Sequence, residues 1–144
     1  MQQPQAELIS QNPLKILSYN VYGLQNKIIY PDFFNYVNAF DIIFLSETHI
    51  LQGTEKNLLK YFKDYDITWN FAIREANFGR GMGGFLVGLK KSSLKATTAV
   101  VKNINNMDIV ELRLPGKTCH LLPLYLRSVG QYWMEDFQRL KNVL

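Results

Sequence analysis

The stretch Asp41-Ile42-Ile43-Phe44-Leu45-Ser46-Glu47-Thr48-His49 organises this chain. Ile42 to Leu45 is a continuous apolar run of β-branched and aromatic residues, which reads as a strand buried on both faces. The run ends abruptly, and a carboxylate, Glu47, follows one residue later. A buried strand is a rigid platform. A carboxylate at its C-terminal end stands where loops meet, a placement that suits metal binding or acid–base chemistry. Taken alone, the run favours the plainer reading, in which Glu47 solvates the strand end.

Outward from this strand the pattern alternates between sheet and helix. On the N-terminal side, Leu14 to Asn20 reads as a strand, and Val21 to Gln25, with Gly23, as a loop. Asn26 to Asn38 has helical spacing at Ile28, Ile29, Phe33, Phe34 and Val37; Pro31 must then lie in its first turn, or the helix begins there. On the C-terminal side, Glu55 to Phe62 predicts a short helix with Leu58, Leu59 and Phe62 inward. Asp66 to Ile73 alternates strictly through Ile67, Trp69, Phe71 and Ile73, the mark of a half-buried strand. Arg74 to Met82 is a glycine-containing loop, and Gly83 to Leu89 another strand, closed by a turn over residues 90–93. Leu94 to Lys102 and Met107 to Leu114 read as strands joined by the Asn-rich turn Asn103 to Asn106. Pro115-Gly116-Lys117 turns the chain so that Thr118 to Leu126 pairs back. Tyr132 to Leu144 carries Trp133, Phe137, Leu140 and Leu144 on one helical face. The order β-α-β-α, then antiparallel strands, then a helix, predicts a mixed α/β (α+β) fold with helices on one face of a sheet.

Composition narrows the class. At 144 residues the chain fits one domain, residues 14–144, behind a polar, proline-containing arm over 1–13 that is expected to be loose. Apolar residues at 47% and aromatics at 13% supply a core and exclude a disordered chain. No apolar run reaches the length of a membrane span, and the N-terminus lacks the pattern of a signal peptide. The lone Cys119 cannot form an internal disulfide, and it reads as a buried small hydrophobe. With two scattered histidines it cannot build a zinc site. These features suit a nuclear or cytoplasmic protein. The net charge of +4 permits a nucleic-acid partner without demanding one.

Three strand ends hold the polar side chains that can do chemistry. Asn20 closes the first strand, Glu47 the second and Tyr125 the last hairpin. If neighbouring strands run alike, these gather at one rim of the sheet. Asn20 offers an amide to a phosphate or a metal-bound water, Glu47 a hard oxygen suited to Mg²⁺, and Tyr125 a hydroxyl to a phosphate oxygen. Each also has a plain reading. Asn20 can cap its own turn, Tyr125 can pack its ring, and Arg74 and Arg80 can belong to a solvated loop.

Leu14 to Leu24 (LKILSYNVYGL), Phe40 to Ile50 (FDIIFLSETHI) and Gly79 to Ser92 (GRGMGGFLVGLKKS), in that order and spacing, resemble the exonuclease–endonuclease–phosphatase superfamily. With the ending Tyr125 to Leu144, the resemblance is closest to the endonuclease domain of LINE-type retrotransposons. It implies one half of a four-layer α/β/β/α sandwich. It also implies metal-dependent phosphodiester cleavage or nicking of DNA, with Mg²⁺ or Mn²⁺ as cofactor. Asn20 matches the asparagine that sets the scissile phosphate, Glu47 the metal-binding glutamate, and Tyr125 the tyrosine that contacts the phosphate. Ser128 stands where the family carries asparagine, and Arg127 where proline is common; Arg80 and Ser128 are the substrate-facing candidates. The aspartate-x-asparagine and serine-aspartate-histidine motifs of the family's second half do not occur after Tyr125. The resemblance therefore implies an N-terminal half, with weak or no activity alone.

Two expectations follow from different classes. One is a truncated nuclease whose site a second polypeptide completes. The other is a non-catalytic protein- or nucleic-acid-binding module. In the second, an inner sheet face normally covered by the other half would be exposed, favouring a homodimer or a partner chain over it.

Overall fold

A computed structural model describes residues 13–74, 81–95, 98–104, 107–123, 138 and 141. In chain order the elements are β1 (Ile16–Asn20), α1 (Leu24–Ile28), α2 (Pro31–Val37), β2 (Ile42–Ser46), a 3-10 helix (Thr54–Tyr61), β3 (Tyr65–Asn70), β4 (Phe85–Lys90), β5 (Ala99–Ile104), β6 (Met107–Leu114) and β7 (Lys117–Leu121). The first four strands form one sheet in the order β1-β2-β4-β3, and β5-β6-β7 form a second. β1 and β2 run parallel, and every other pair is antiparallel.

β2 is the buried strand its composition predicts: Ile42, Ile43 and Leu45 are fully buried and Phe44 nearly so. Its side chains alternate between two cores. Ile43 and Leu45 join Leu17, Leu24, Ile28, Val37, Leu58, Phe62 and Leu86 under the helices. Ile42 and Phe44 join Val87 and Leu89, which pack against Ala99, Val110 and Leu112 of the second sheet. Each fully buried aliphatic side chain contributes about 1.5–3 kcal/mol, so β2 and β4, with Ile42, Ile43, Leu45, Leu86 and Val87 fully buried, are a large contributor to the stability. Gly88 of β4 makes this packing possible. A Cβ there would stand 2.6 Å from Ile43 Cγ1, so only glycine lets the β2 side chain lie across β4.

The second sheet corrects one expectation. The inner face of the first sheet is not left wet for a partner to cover. This chain's own β5-β6-β7 sheet packs on it, and Ile42 and Val87 are completely inaccessible. A polar link joins the sheets at one edge, where Asn70 donates to one oxygen of the buried Asp108 and Asn103 donates to the other at 2.9 Å. The two edge strands depart from this sealing: on β3, Asp66, opposite the inner-face Leu89, is exposed. On β1, Leu17 is buried under the helices, but Ile16, Ser18 and Asn20, which stand opposite Ile42, Phe44 and Ser46, are exposed.

Two helical expectations also change. The segment over 26–38 is two short helices, because Pro31 opens α2 at its first turn and α1 ends before it. The segment over 55–62 is a 3-10 helix. Its tighter winding turns Leu58 inward and Leu59 out, the latter 51% exposed, where α-helical spacing would bury both. The strand over 66–73 ends regular pairing at Asn70, and Ile73 meets Met82 through an isolated bridge. Residues 1–12 of the predicted arm over 1–13 and most of the helix over 132–144 lie outside the described residues. Among the described residues no helix is long and apolar enough to cross a membrane.

Candidate functional site

The rim where β1 and β2 end is built by strand register. Their parallel pairing sets Asn20 opposite Ser46, so both chains leave the sheet at the same edge. The antiparallel neighbours extend the row, with Ser46 opposite Phe85 and Phe85 opposite Asn70. The loops beyond stay laced together. The amides of Val21, Gly23 and Leu24 donate to the carbonyls of Ser46, Glu47 and Thr48 at 2.9, 2.8 and 3.0 Å. The amides of Thr48 and His49 donate onward to Gly84 and Gly83 at 3.2 and 2.9 Å. Three loops thus form one hydrogen-bonded surface.

This surface carries backbone strain. Tyr22, Glu47 and His49 have φ of 45°, 51° and 58°, a left-handed region that costs a side-chain-bearing residue about 1 kcal/mol or more. Thr48 explains the last two. It is 1% exposed, and its Oγ1 sits 2.5 Å from where a Gly84 Cβ would be. With Thr48 held inward against a glycine, its neighbours Glu47 and His49 remain half-buried at the surface.

The structure brings Asn20 and Glu47 to this common rim, as the strand reading expects. Asn20 is exposed and its Oδ1 accepts the Tyr22 amide at 3.0 Å. It therefore does cap its own turn, while its amide nitrogen is left to donate elsewhere. Tyr22 and His49 meet across the rim, their ring centroids 5.5 Å apart and nearly perpendicular. Neither ranked among the candidates in the sequence; an aromatic residue set between the turn formers Asn20 and Gly23 was the available signal. Beside them, Tyr19 packs on Phe33 of α2, and Lys27 of α1 lies 5.7 Å from the Tyr19 ring. Tyr125, Arg80 and Ser128 lie outside the described residues. Among the described residues, no three His, Cys, Asp or Glu side chains converge as a ready-made metal cage.

Among the described residues the strongest charge cluster is elsewhere. Glu111 of β6 faces Lys102 at 2.6 Å, Arg113 at 3.1 Å and His120 at 3.5 Å. Hydrogen bonds from Lys102 and then Arg113 hold its carboxyl down to about 2. It alternates with the buried Val110 and Leu112, so it lies on the side of the second sheet away from the shared core. At the far end of the first sheet, burial first, then the charges of Asp41 and Asp64, push the Tyr65 hydroxyl up to about 12.

The fold has known counterparts. The AP endonuclease LMAP from Leishmania major superposes with a TM-score of 0.63 at 16% identity, over 90% of this chain and 45% of that one. The catalytic domain of Xenopus laevis APE2 gives 0.59 at 16% identity, over 89% and 52%. An AP endonuclease from Archaeoglobus fulgidus gives 0.50 at 14% identity, over 91% and 49%. The chain therefore has an AP endonuclease-like α/β sandwich fold and spans about half the length of these structures. No protein-family model matches it, and no curated protein sequence does.

Proposed function

We propose that this chain is a DNA-directed, metal-dependent phosphodiesterase module of the exonuclease–endonuclease–phosphatase type, corresponding to the N-terminal half of such a domain. Within that superfamily its motifs are nearest the LINE-type retrotransposon endonucleases. The observation that carries the reading is the parallel β1–β2 register, which delivers Asn20 and Glu47 to one strained, hydrogen-bonded rim. Support also comes from the fold, shared with structures described as AP endonucleases at about half their length.

The donor set at the rim fits a hard divalent ion. Mg²⁺ is commonly held by one or two carboxylates, with waters and substrate phosphate completing its shell. Glu47 would hold Mg²⁺ or Mn²⁺. When bound, the ion would offset charge on the phosphate oxygens. The amide nitrogen of Asn20 would donate to a phosphate oxygen, and Tyr125, Arg80 and Ser128 would line the substrate. Water activation and leaving-group protonation call on the aspartate-x-asparagine and serine-aspartate-histidine motifs, which do not occur in residues 126–144. Turnover by this chain alone is therefore weak or absent, and strong when a second polypeptide supplies them.

Plasmid nicking in Mg²⁺ or Mn²⁺, run beside Glu47→Gln, tests this. Nicking lost in the variant supports the reading. Equal behaviour of the two proteins, with or without added partner polypeptide, would overturn it. A second reading, a binding module that pairs with another copy or chain, is favoured by one observation. The edge strand β1 presents Ile16, 42% exposed, with Ser18 on the inner face. Light scattering across a wide concentration range tests it, since a clean monomer without added partner would remove the homodimer.

A further inference from the structure

We propose that Tyr22, braced by His49, is a stacking site for an unpaired base of a DNA strand whose phosphate lies at the Asn20–Glu47 rim. The identity of the ligand rests on the phosphodiesterase reading above; the site itself rests on separate observations. The first is that a large aromatic side chain is held outward. Tyr22 is 62% exposed, although burying a ring of this size is normally favourable. The second is how firmly its backbone is held. Its left-handed φ is maintained by the Asn20 Oδ1 bond to its own amide and by the Gly23 amide on the Glu47 carbonyl. Strain retained in this way is characteristic of sites where a side chain must be presented in one direction.

The third observation is the neighbouring chemistry. His49 meets Tyr22 edge to face, which orients the pair without closing it off from solvent. On the adjoining β1–α1 corner, Lys27 lies over the ring of Tyr19, which is itself exposed. An exposed ring can take a flat base, and an ammonium on the adjoining corner can take a backbone phosphate of the same strand. An unpaired base fits better than a duplex, because a base in a duplex already has both faces stacked and offers none to a surface ring. Tyr22 is also only two residues from Asn20, so a strand with its phosphate at the rim brings an adjacent base toward this ring.

The test separates stacking from catalysis by reading binding in EDTA. Fluorescence anisotropy would follow a short labelled single-stranded DNA and a blunt duplex of the same length. The variants are Tyr22→Asn, which removes the ring but tolerates the left-handed backbone, and Tyr22→Phe, which keeps the ring. Thermal melts followed by circular dichroism establish that both variants are folded. Tyr22→Asn is expected to weaken single-strand binding about 10-fold and leave duplex binding within about 2-fold, with Tyr22→Phe close to the parent chain. Equal loss on both DNAs, no loss on either, or no single-strand binding by the parent chain would overturn the inference. Tyr22-dependent binding together with nicking insensitive to Glu47→Gln would remove the phosphodiesterase reading and leave the stacking site standing. Nicking that needs Glu47, with binding indifferent to Tyr22, would do the reverse.

Discussion

The two ends of the first sheet are built from the same strands by opposite rules. At the end where β1 and β2 begin, polar groups are tied down to the backbone. Asp41 accepts the Lys15 amide at 2.8 Å, the Tyr65 hydroxyl is shared between the carbonyls of Phe40 at 2.5 Å and Val37 at 3.1 Å, and Lys90 donates to the carbonyl of Asn38. At the end where they finish, the loops are equally well bonded, yet all three described non-glycine residues with positive φ gather there. One end uses its hydrogen bonds to close the fold. The other uses them to hold Tyr22, Glu47 and His49 in conformations those residues would not choose. Such strain persists only where the surroundings over-determine it, and the doubly covered centre of the sheet supplies that rigidity.

The comparison can be broken from its middle. Ile43→Ala empties a fully buried position between the two ends, and it should cost about 3 kcal/mol, lowering the melting temperature by on the order of 10 °C. A much smaller loss would mean that the centre does not provide the rigidity the rim depends on. Gly84→Ala attacks the rim directly. The added Cβ would meet Thr48 Oγ1 at 2.5 Å and the Ala72 amide nitrogen at 3.2 Å, with φ at +88°. A cost of about 2 kcal/mol is expected in denaturant titration, together with loss of whatever nicking or DNA binding the parent chain shows. If the protein lost stability and kept full function, the laced loops would not be what positions the site.

Tyr65→Phe sharpens the contrast from the opposite end. Removing the hydroxyl should cost about 1 kcal/mol and leave DNA binding at the distant rim unchanged. The Tyr65 pKa is raised in the folded protein. Its contribution is therefore fully present below the ordinary tyrosine value of 10 and fades as pH rises through about 12. Melting curves across that alkaline window should fall more steeply for the parent chain than for the variant, and parallel curves would contradict the assignment. The smallest effect is a gain. His49→Asn keeps a polar side chain but suits a φ of 58° better. It should stabilise the chain by about 0.5 kcal/mol while weakening single-strand binding. A destabilised variant would show that the Tyr22–His49 ring contact outweighs the backbone strain.

Much of this was legible in the residues. The unbroken apolar run Ile42 to Leu45 announces a strand covered on both faces, because no solvent-facing position interrupts it. Asn20 and Glu47 are legible as strand-end residues because each directly follows or ends such a run, and the motifs around them carry the family resemblance. Leu59 was misread because a short apolar cluster does not reveal whether it will wind with 3.6 or 3.0 residues per turn. Pro31 marks a boundary, but not whether one helix kinks or two helices form.

The sequence by itself determined local character: which segments must be buried, where turns fall, and which strand ends carry polar side chains. Those properties depend on neighbouring residues, whose periodicity and conformational preferences are written in order along the chain. Only the tertiary structure decided what covers what. That β5-β6-β7 pack on Ile42, Phe44, Val87 and Leu89 depends on contacts between residues far apart in sequence, and no local pattern encodes them. The same holds for the rim. Tyr22 and His49 meet because β1 and β2 pair parallel in one register and a buried Thr48 turns its neighbours outward. The register and the burial are collective results of the packed core.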